Sequence, residues 1–157
     1  MRRAAVVAVW LLAALFVAAQ AYVRLAPLDP ALWHAEPLSA RKLSGSRDWL
    51  VRPEGGDAAA PVYAAESPVL LSRVQAVAMS EPRTKVLAGS PADGWMTFVQ
   101  RSALWGFPDL ISVRAFPGGK GATLALWSRS RFGEYDRGVN RARVERWLAA
   151  LNLPTAE

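Results

Sequence analysis

Twenty residues near the start of the chain, Ala4 to Val23, carry one strongly polar side chain, Gln20. Wound as an α-helix at about 1.5 Å per residue, such a run measures about 30 Å, the thickness of a bilayer's hydrocarbon core. It has no amphipathic period that would seat it in a soluble core. Arg2 and Arg3 precede it, and Arg24 is the only lysine or arginine after it until Arg41. That bias places the N-terminus in the cytoplasm and the rest of the chain outside. A cleaved signal peptide is the alternative, with Ala19-Gln20-Ala21 as the A-x-A site. Either way the remainder is exported, and the expected localisation is a single-pass anchor over residues 1–23 with a periplasmic or other extracytoplasmic domain. The paired arginines lack the context of a twin-Arg signal.

The chain has 157 residues, so the part beyond the apolar run is one domain's worth, with room for a single hydrophobic core. It contains no cysteine, which removes disulfides, thiolate chemistry and cysteine-ligated zinc. The net charge of +6 is carried mostly by arginine. Those arginines are not gathered into one run and no recognition motif accompanies them, so nucleic acid is not an expected partner.

Residues 24–46 contain Pro27, Pro30 and Pro37, which forbid a long helix and read as a tether or a strap across the domain. Trp33 within it needs an apolar place to dock. His34, the only histidine, has no second ligand that would make a metal site. Residues 47–153 are expected to form the soluble domain. A strand is predicted over Asp48 to Arg52 and a short one around Val62-Tyr63. A helix should follow with Ser67 as N-cap, Pro68 in its first turn and Leu70, Leu71, Val74, Val77 and Ala78 as its buried stripe, ending at Pro82. Strands are then predicted over Thr84 to Leu87, Trp95 to Arg101, Leu110 to Phe116 and Thr123 to Arg131, the last two joined by the turn Pro117-Gly118-Gly119-Lys120-Gly121. A final helix from Val139 to Leu151 would bury Val144, Trp147, Leu148 and Leu151, with Asn152 and Pro154 as its stop. Consecutive strands bracketed by amphipathic helices mean an α+β fold, an antiparallel sheet with helices packed on one face. The element order is also that of a helix-grip domain, in which the sheet wraps the last helix around an apolar cavity.

Several stretches are similar to one family. Arg24-Leu25-Ala26-Pro27, Asp29-Pro30, Trp33-His34 and Gly106-Phe107-Pro108-Asp109 belong to the likeness, and Ser128-Arg129-Ser130-Arg131-Phe132-Gly133 with Asp136, Gly138, Asn140, Arg143 and Trp147-Leu148 is its longest motif. Over most of residues 24–151 the chain resembles the bacterial and plastid domain-of-unknown-function family 1499. Arg137 stands where that family usually has leucine, which implies a solvent-facing position. The resemblance implies a membrane-anchored or exported protein, and it brings no established activity, cofactor or catalytic residue.

The residues themselves offer no catalytic set. Ser44, Ser46 and Ser90 lie near glycines without the histidine and acid of a relay. Glu134 and Asp136 share one loop, whereas paired glycosidase carboxylates come from separate elements across a cleft. Gly118, Gly119 and Gly121 lie between two strands and not before a helix, as a phosphate loop would. Trp95, Trp127 and Trp147 sit among apolar neighbours and read as core or as a cavity wall.

One polar cluster stands out. If the hairpin turn centres on Gly119, Asp109 faces Arg129, Ile111 faces Trp127 and Val113 faces Ala125, and Arg131 shares the face of Arg129. Asp136 and Asn140 follow nearby, so Asp109, Arg129, Arg131, Asp136 and Asn140 are expected to form one network, either a lock that holds the fold or an anion site using the second arginine. The functional expectation is a non-enzymatic envelope domain that binds a small amphiphile or lipid in a cavity between the sheet and the last helix, without a cofactor. The alternative is a structural or partner-binding domain with a solid core.

Overall fold

The computed structural model describes residues 2–156; Met1, at the head of the expected 1–23 segment, and Glu157 lie outside them. Helix α1 (Arg2–Leu25) buries none of its residues. It is long and apolar enough to cross a membrane, a test that a signal sequence passes equally. Pro27 ends it, and the following segment makes a single short helix, α2 (Pro30–Trp33), whose N-cap Asp29 accepts a hydrogen bond from the Ala31 amide at 2.9 Å.

The rest is α+β. Strands β1 (Asp48–Val51), β2 (Thr84–Ser90), β3 (Trp95–Arg101), β4 (Pro108–Gly118) and β5 (Gly121–Ser130) form a five-stranded antiparallel sheet in the order β1-β5-β4-β3-β2. Helices α3 (Ser67–Ser80) and α4 (Val139–Ala150) pack on one face, where Leu70, Leu71 and Val74 of α3 and Val144 and Trp147 of α4 meet Phe98, Ile111, Val113 and Leu126. Trp147 stands edge-on to Phe98, with ring centroids 5.7 Å apart. Val144, Trp147 and Leu151 pack into this core beneath α4, and the sheet face is shared with α3, not wrapped around one helix. Leu148 only borders this core.

Two local expectations change. Glu66, not Ser67, is the N-cap of α3, and it makes no side-chain cap; Ser67 and Pro68 are already in the first turn. Val62-Tyr63 is not a strand, because Tyr63 makes only isolated bridges, to Ala122 and Thr155.

The consequential correction is the register of the β4–β5 hairpin. Gly118 pairs with Gly121, so the loop has two residues, Gly119 and Lys120, and its centre lies between them. Gly119 has φ of 53° and Lys120 is not left-handed, the pattern of a type II′ turn with glycine first. Asp109 therefore pairs with Ser130, and Arg129 with Leu110. A one-residue shift carries every side chain to the opposite face, and Asp109 and Arg129 lie on different faces of the sheet.

The second face is covered by the strap. Between α1 and β1 the chain runs across it, burying Ala26 and Pro37 and laying the His34 ring on Trp95 with centroids 3.5 Å apart. Glu36 pairs with Arg114 of β4. Beneath the strap Leu50, Leu110 and Ala125 are fully buried.

Candidate functional site

Three of the five expected residues lie on the helix side of the sheet. Asp109 receives Arg143 of α4 at 2.6 Å, and both side chains are almost fully buried. Arg143 also donates to Gln100, to Ser128 at 2.9 Å and to Asn140 at 2.7 Å. Asn140 is saturated: its amide nitrogen donates to the Arg47 carbonyl and Ser130 Oγ, both at 3.0 Å, and its amide oxygen accepts from Arg143 and from Ser128 Oγ. Asp136 accepts from the Gly138 and Asn140 amides at 2.8 Å each, supplying acceptors to the first turn of α4. Lone buried charges are expensive, and this pair is kept by hydrogen bonds on nearly every side. The cluster ties β3, β4, β5 and α4 together. Asp109, Ser128, Asn140 and Arg143 are buried within it, while Asp136 at its edge is partly exposed.

Arg143, Gln100 and Ser128 were absent from the expected network, yet each carries a sequence signal. Residues 140, 143, 144, 147 and 151 follow the helical spacing of one face, so Arg143 and Asn140 lie on the buried stripe of α4. Gln100 and Ser128 occupy the inward positions of β3 and β5 once the register is set by the two-residue turn.

The other two expected residues lie under the strap. Arg129 is 3 % exposed, stacks on the Trp127 ring at 4.1 Å, and donates to Ser112 Oγ at 3.1 Å and to the Trp33 carbonyl at 2.7 Å. Burial pushes its guanidinium down to about 10, an effect the Asp48 carboxylate partly opposes. Asp48 Oδ2 accepts from Trp127 Nε1 at 2.8 Å and from the Leu43 amide at 3.1 Å, while its Oδ1 is buried without a hydrogen-bond partner. A polar chain continues inward from Arg129 through Ser112 and Thr97 to His34 Nδ1, each link 2.9 to 3.1 Å. Burial holds His34 below its usual value, against the charges of Asp93 and Glu36. Arg131 donates to the Pro27 carbonyl at 3.1 Å and lies over the Trp33 ring at 5.4 Å. Among the described residues neither Arg129 nor Arg131 has an ion-pair partner.

Beside these arginines a cleft of about 230 Å³ opens between strap and sheet, lined by Leu32, Trp33, Leu43, Arg47, Trp127, Arg129 and Arg131. It combines aromatic and aliphatic walls with three guanidinium groups, the donor geometry that suits phosphate or carboxylate. No group of three or more histidine, cysteine or acidic side chains that could hold a metal occurs among the described residues.

A family model described as protein of unknown function, DUF1499, matches residues 36–151. The chain belongs to that family. The matched segment takes in the whole sheet, both packed helices and the second half of the strap, so both polar clusters are built largely from DUF1499 residues. Arg137, in the solvated loop before α4, is exposed with φ of 57°. No curated protein and no solved structure matches the chain.

Proposed function

We propose that this DUF1499 protein is a membrane-anchored, extracytoplasmic domain that binds the anionic end of a small amphiphile in the strap cleft, without catalysing a reaction. The observation that carries this reading is Arg129. It is a cation buried against Trp127, with no carboxylate at ion-pair distance among the described residues although Asp48 lies opposite it on β1, beside a cleft that Arg47 and Arg131 also line. A buried charge is costly unless something pairs with it, and an incoming phosphate or carboxylate would do so. The apolar wall of Leu32, Leu43 and Trp33 suits the first carbons of an alkyl chain. A cleft of this size takes a headgroup and not a whole lipid.

The test is titration of the full chain in detergent micelles with a short-chain phosphatidic acid, followed by Trp fluorescence. Saturable binding is expected. Arg131→Gln removes one charge-assisted contact while leaving the Asp109–Arg143 lock intact, and should weaken binding about tenfold or more. Absence of saturable binding, or an unchanged affinity in Arg131→Gln, would contradict the proposal. A second reading, a partner-binding envelope domain, is favoured by the solid packing between α4 and the sheet.

A further inference from the structure

The end of the domain next to α1 brings two features together. The first is apolar. The β3–β4 connection, Ser102–Phe107, leaves Leu104 70 % exposed, and Trp105 and Phe107 are also exposed. This connection does not project into solvent away from the chain. It lies down along α1, where the Trp105 ring meets the Phe16 ring edge-on at 5.9 Å. Phe16 is seven residues before Val23, so the contact is about 10 Å along the helix axis from the end of the apolar run. Tyr22 meets Phe132, which in turn meets Phe107, completing a cluster of aromatic rings around the end of the helix. Gly106, with φ of 74°, allows the approach, since a Cβ there would stand 3.0 Å from the Arg24 side chain.

The second is charge. Arg24, Arg83, Lys85 and Arg101 line a cleft of about 550 Å³ immediately behind this connection. On the rest of the domain Lys42, Arg114, Arg141, Arg143 and Arg146 each have a carboxylate partner, while Arg129 and Arg131 do not. The four cations of the cleft have none among the described residues. Arg24 donates to the Leu104 carbonyl, Arg83 to the Arg101 carbonyl, and Arg101 to the carbonyls of Val23 and Gly106. Burial and the neighbouring Arg131 charge both lower the Arg101 guanidinium. Trp105 about 10 Å down the helix beside Phe16, with the cations of the cleft nearer the helix end, matches the layering of acyl chains beneath anionic phosphates.

We infer that Ser102–Phe107 is a membrane-seated wedge, with Leu104 and Trp105 among the acyl chains and Arg24, Arg83, Lys85 and Arg101 holding phosphates of anionic lipids in the same leaflet. This rests on the reading of α1 as an anchor and is independent of the strap cleft. β4 is 11 residues long, so the β4–β5 turn lies roughly 35 Å along the strand from the end that meets the wedge.

The chain has no cysteine, so a single one can be labelled without competition. Leu104→Cys and Lys120→Cys, each in the full chain, would carry an environment-sensitive nitrobenzoxadiazole label in nanodiscs of phosphatidylcholine with or without phosphatidylglycerol. Both positions are exposed, so neither substitution disturbs packing. The label at 104 should be blue-shifted and quenched by lipids with bromine on the acyl chain, and the label at 120 should be neither. In mixed nanodiscs, the preference for phosphatidylglycerol among co-purifying lipids should fall about fivefold for each cation removed in Arg83→Gln and Lys85→Gln. Equal quenching at 104 and 120 would overturn the wedge. Unchanged lipid preference in the double variant, or its abolition by inorganic phosphate at the concentration of the lipid phosphate, would overturn the headgroup assignment. Because α1 is in the nanodisc throughout, these outcomes are distinct from cleavage of α1 in cells, which would be read as loss of the N-terminus from the mature chain.

Discussion

Arg143 is the residue on which the helix side of the sheet depends. It meets Asp109, Gln100, Ser128 and Asn140 in a space closed to water, so removal of either ionic partner leaves the other buried and uncompensated. Asp109→Ala and Arg143→Ala should each cost on the order of 3 kcal/mol or more in urea unfolding. Asp109→Leu combined with Arg143→Met should recover only part of that loss, since the ion pair's desolvation penalty goes but the buried Gln100 Oε1 loses its donor. Strictly additive losses in the double variant would mean the two side chains do not act as a pair. His34 yields a pH prediction of a different kind. Its folded-state pKa lies below the unfolded value of 6.5, so the unfolded chain takes up the proton first. Stability is full above 6.5, declines as pH falls below it, and levels off beneath the folded-state pKa. Burial opposes ionisation of Glu81, but hydrogen bonds from Arg146 and Gln100 outweigh it and hold its pKa below 4.5, so its contribution is lost only at lower pH. A thermal-melt series between about pH 8 and 5 should show a decline in the wild type that is flattened in His34→Asn.

Among the elements, α3, α4 and the long hairpin are legible because each carries its own local signal: Pro68 in a first turn, a stripe at helical spacing, or glycines between two apolar runs. The site is less legible because it depends on parity. Centring the turn on Gly119 or between Gly119 and Lys120 differs by half a residue, and that half residue decides whether Asp109 meets Arg129 or Arg143. The glycines predict a turn, but its loop length is settled by the whole ladder and by Tyr63, which bridges to Ala122. The strap is legible only in outline, because docking of Trp33 and His34 depends on a sheet face assembled from residues over 60 positions away. The hairpin's far end gives a test of this arrangement. A Cβ on Gly121 would stand 2.0 Å from the Tyr63 carbonyl oxygen, and neither backbone can yield cheaply. Gly121→Ala should therefore destabilise the domain by about 1–3 kcal/mol, whereas the exposed Lys120→Ala should be near neutral. Equal melting temperatures for the two variants would show that the Tyr63 segment is free to move.

At the scale of the whole molecule, one apolar helix and one α+β domain are held together by Arg101 on the Val23 carbonyl, Arg24 on the Leu104 carbonyl and the Phe16–Trp105 contact. Cations at the junction would favour anionic lipid, and Arg131, which lines the strap cleft, binds the Pro27 carbonyl just beyond α1. The roles proposed for both clefts depend on the side of the membrane where the domain lies. The arginines ahead of α1 predict the outer side. The most direct measurement is protease treatment of intact spheroplasts expressing the full chain with a C-terminal tag. With the domain outside, the tag is removed while a cytoplasmic marker protein survives; a tag that stays protected until the cells are lysed would contradict that placement.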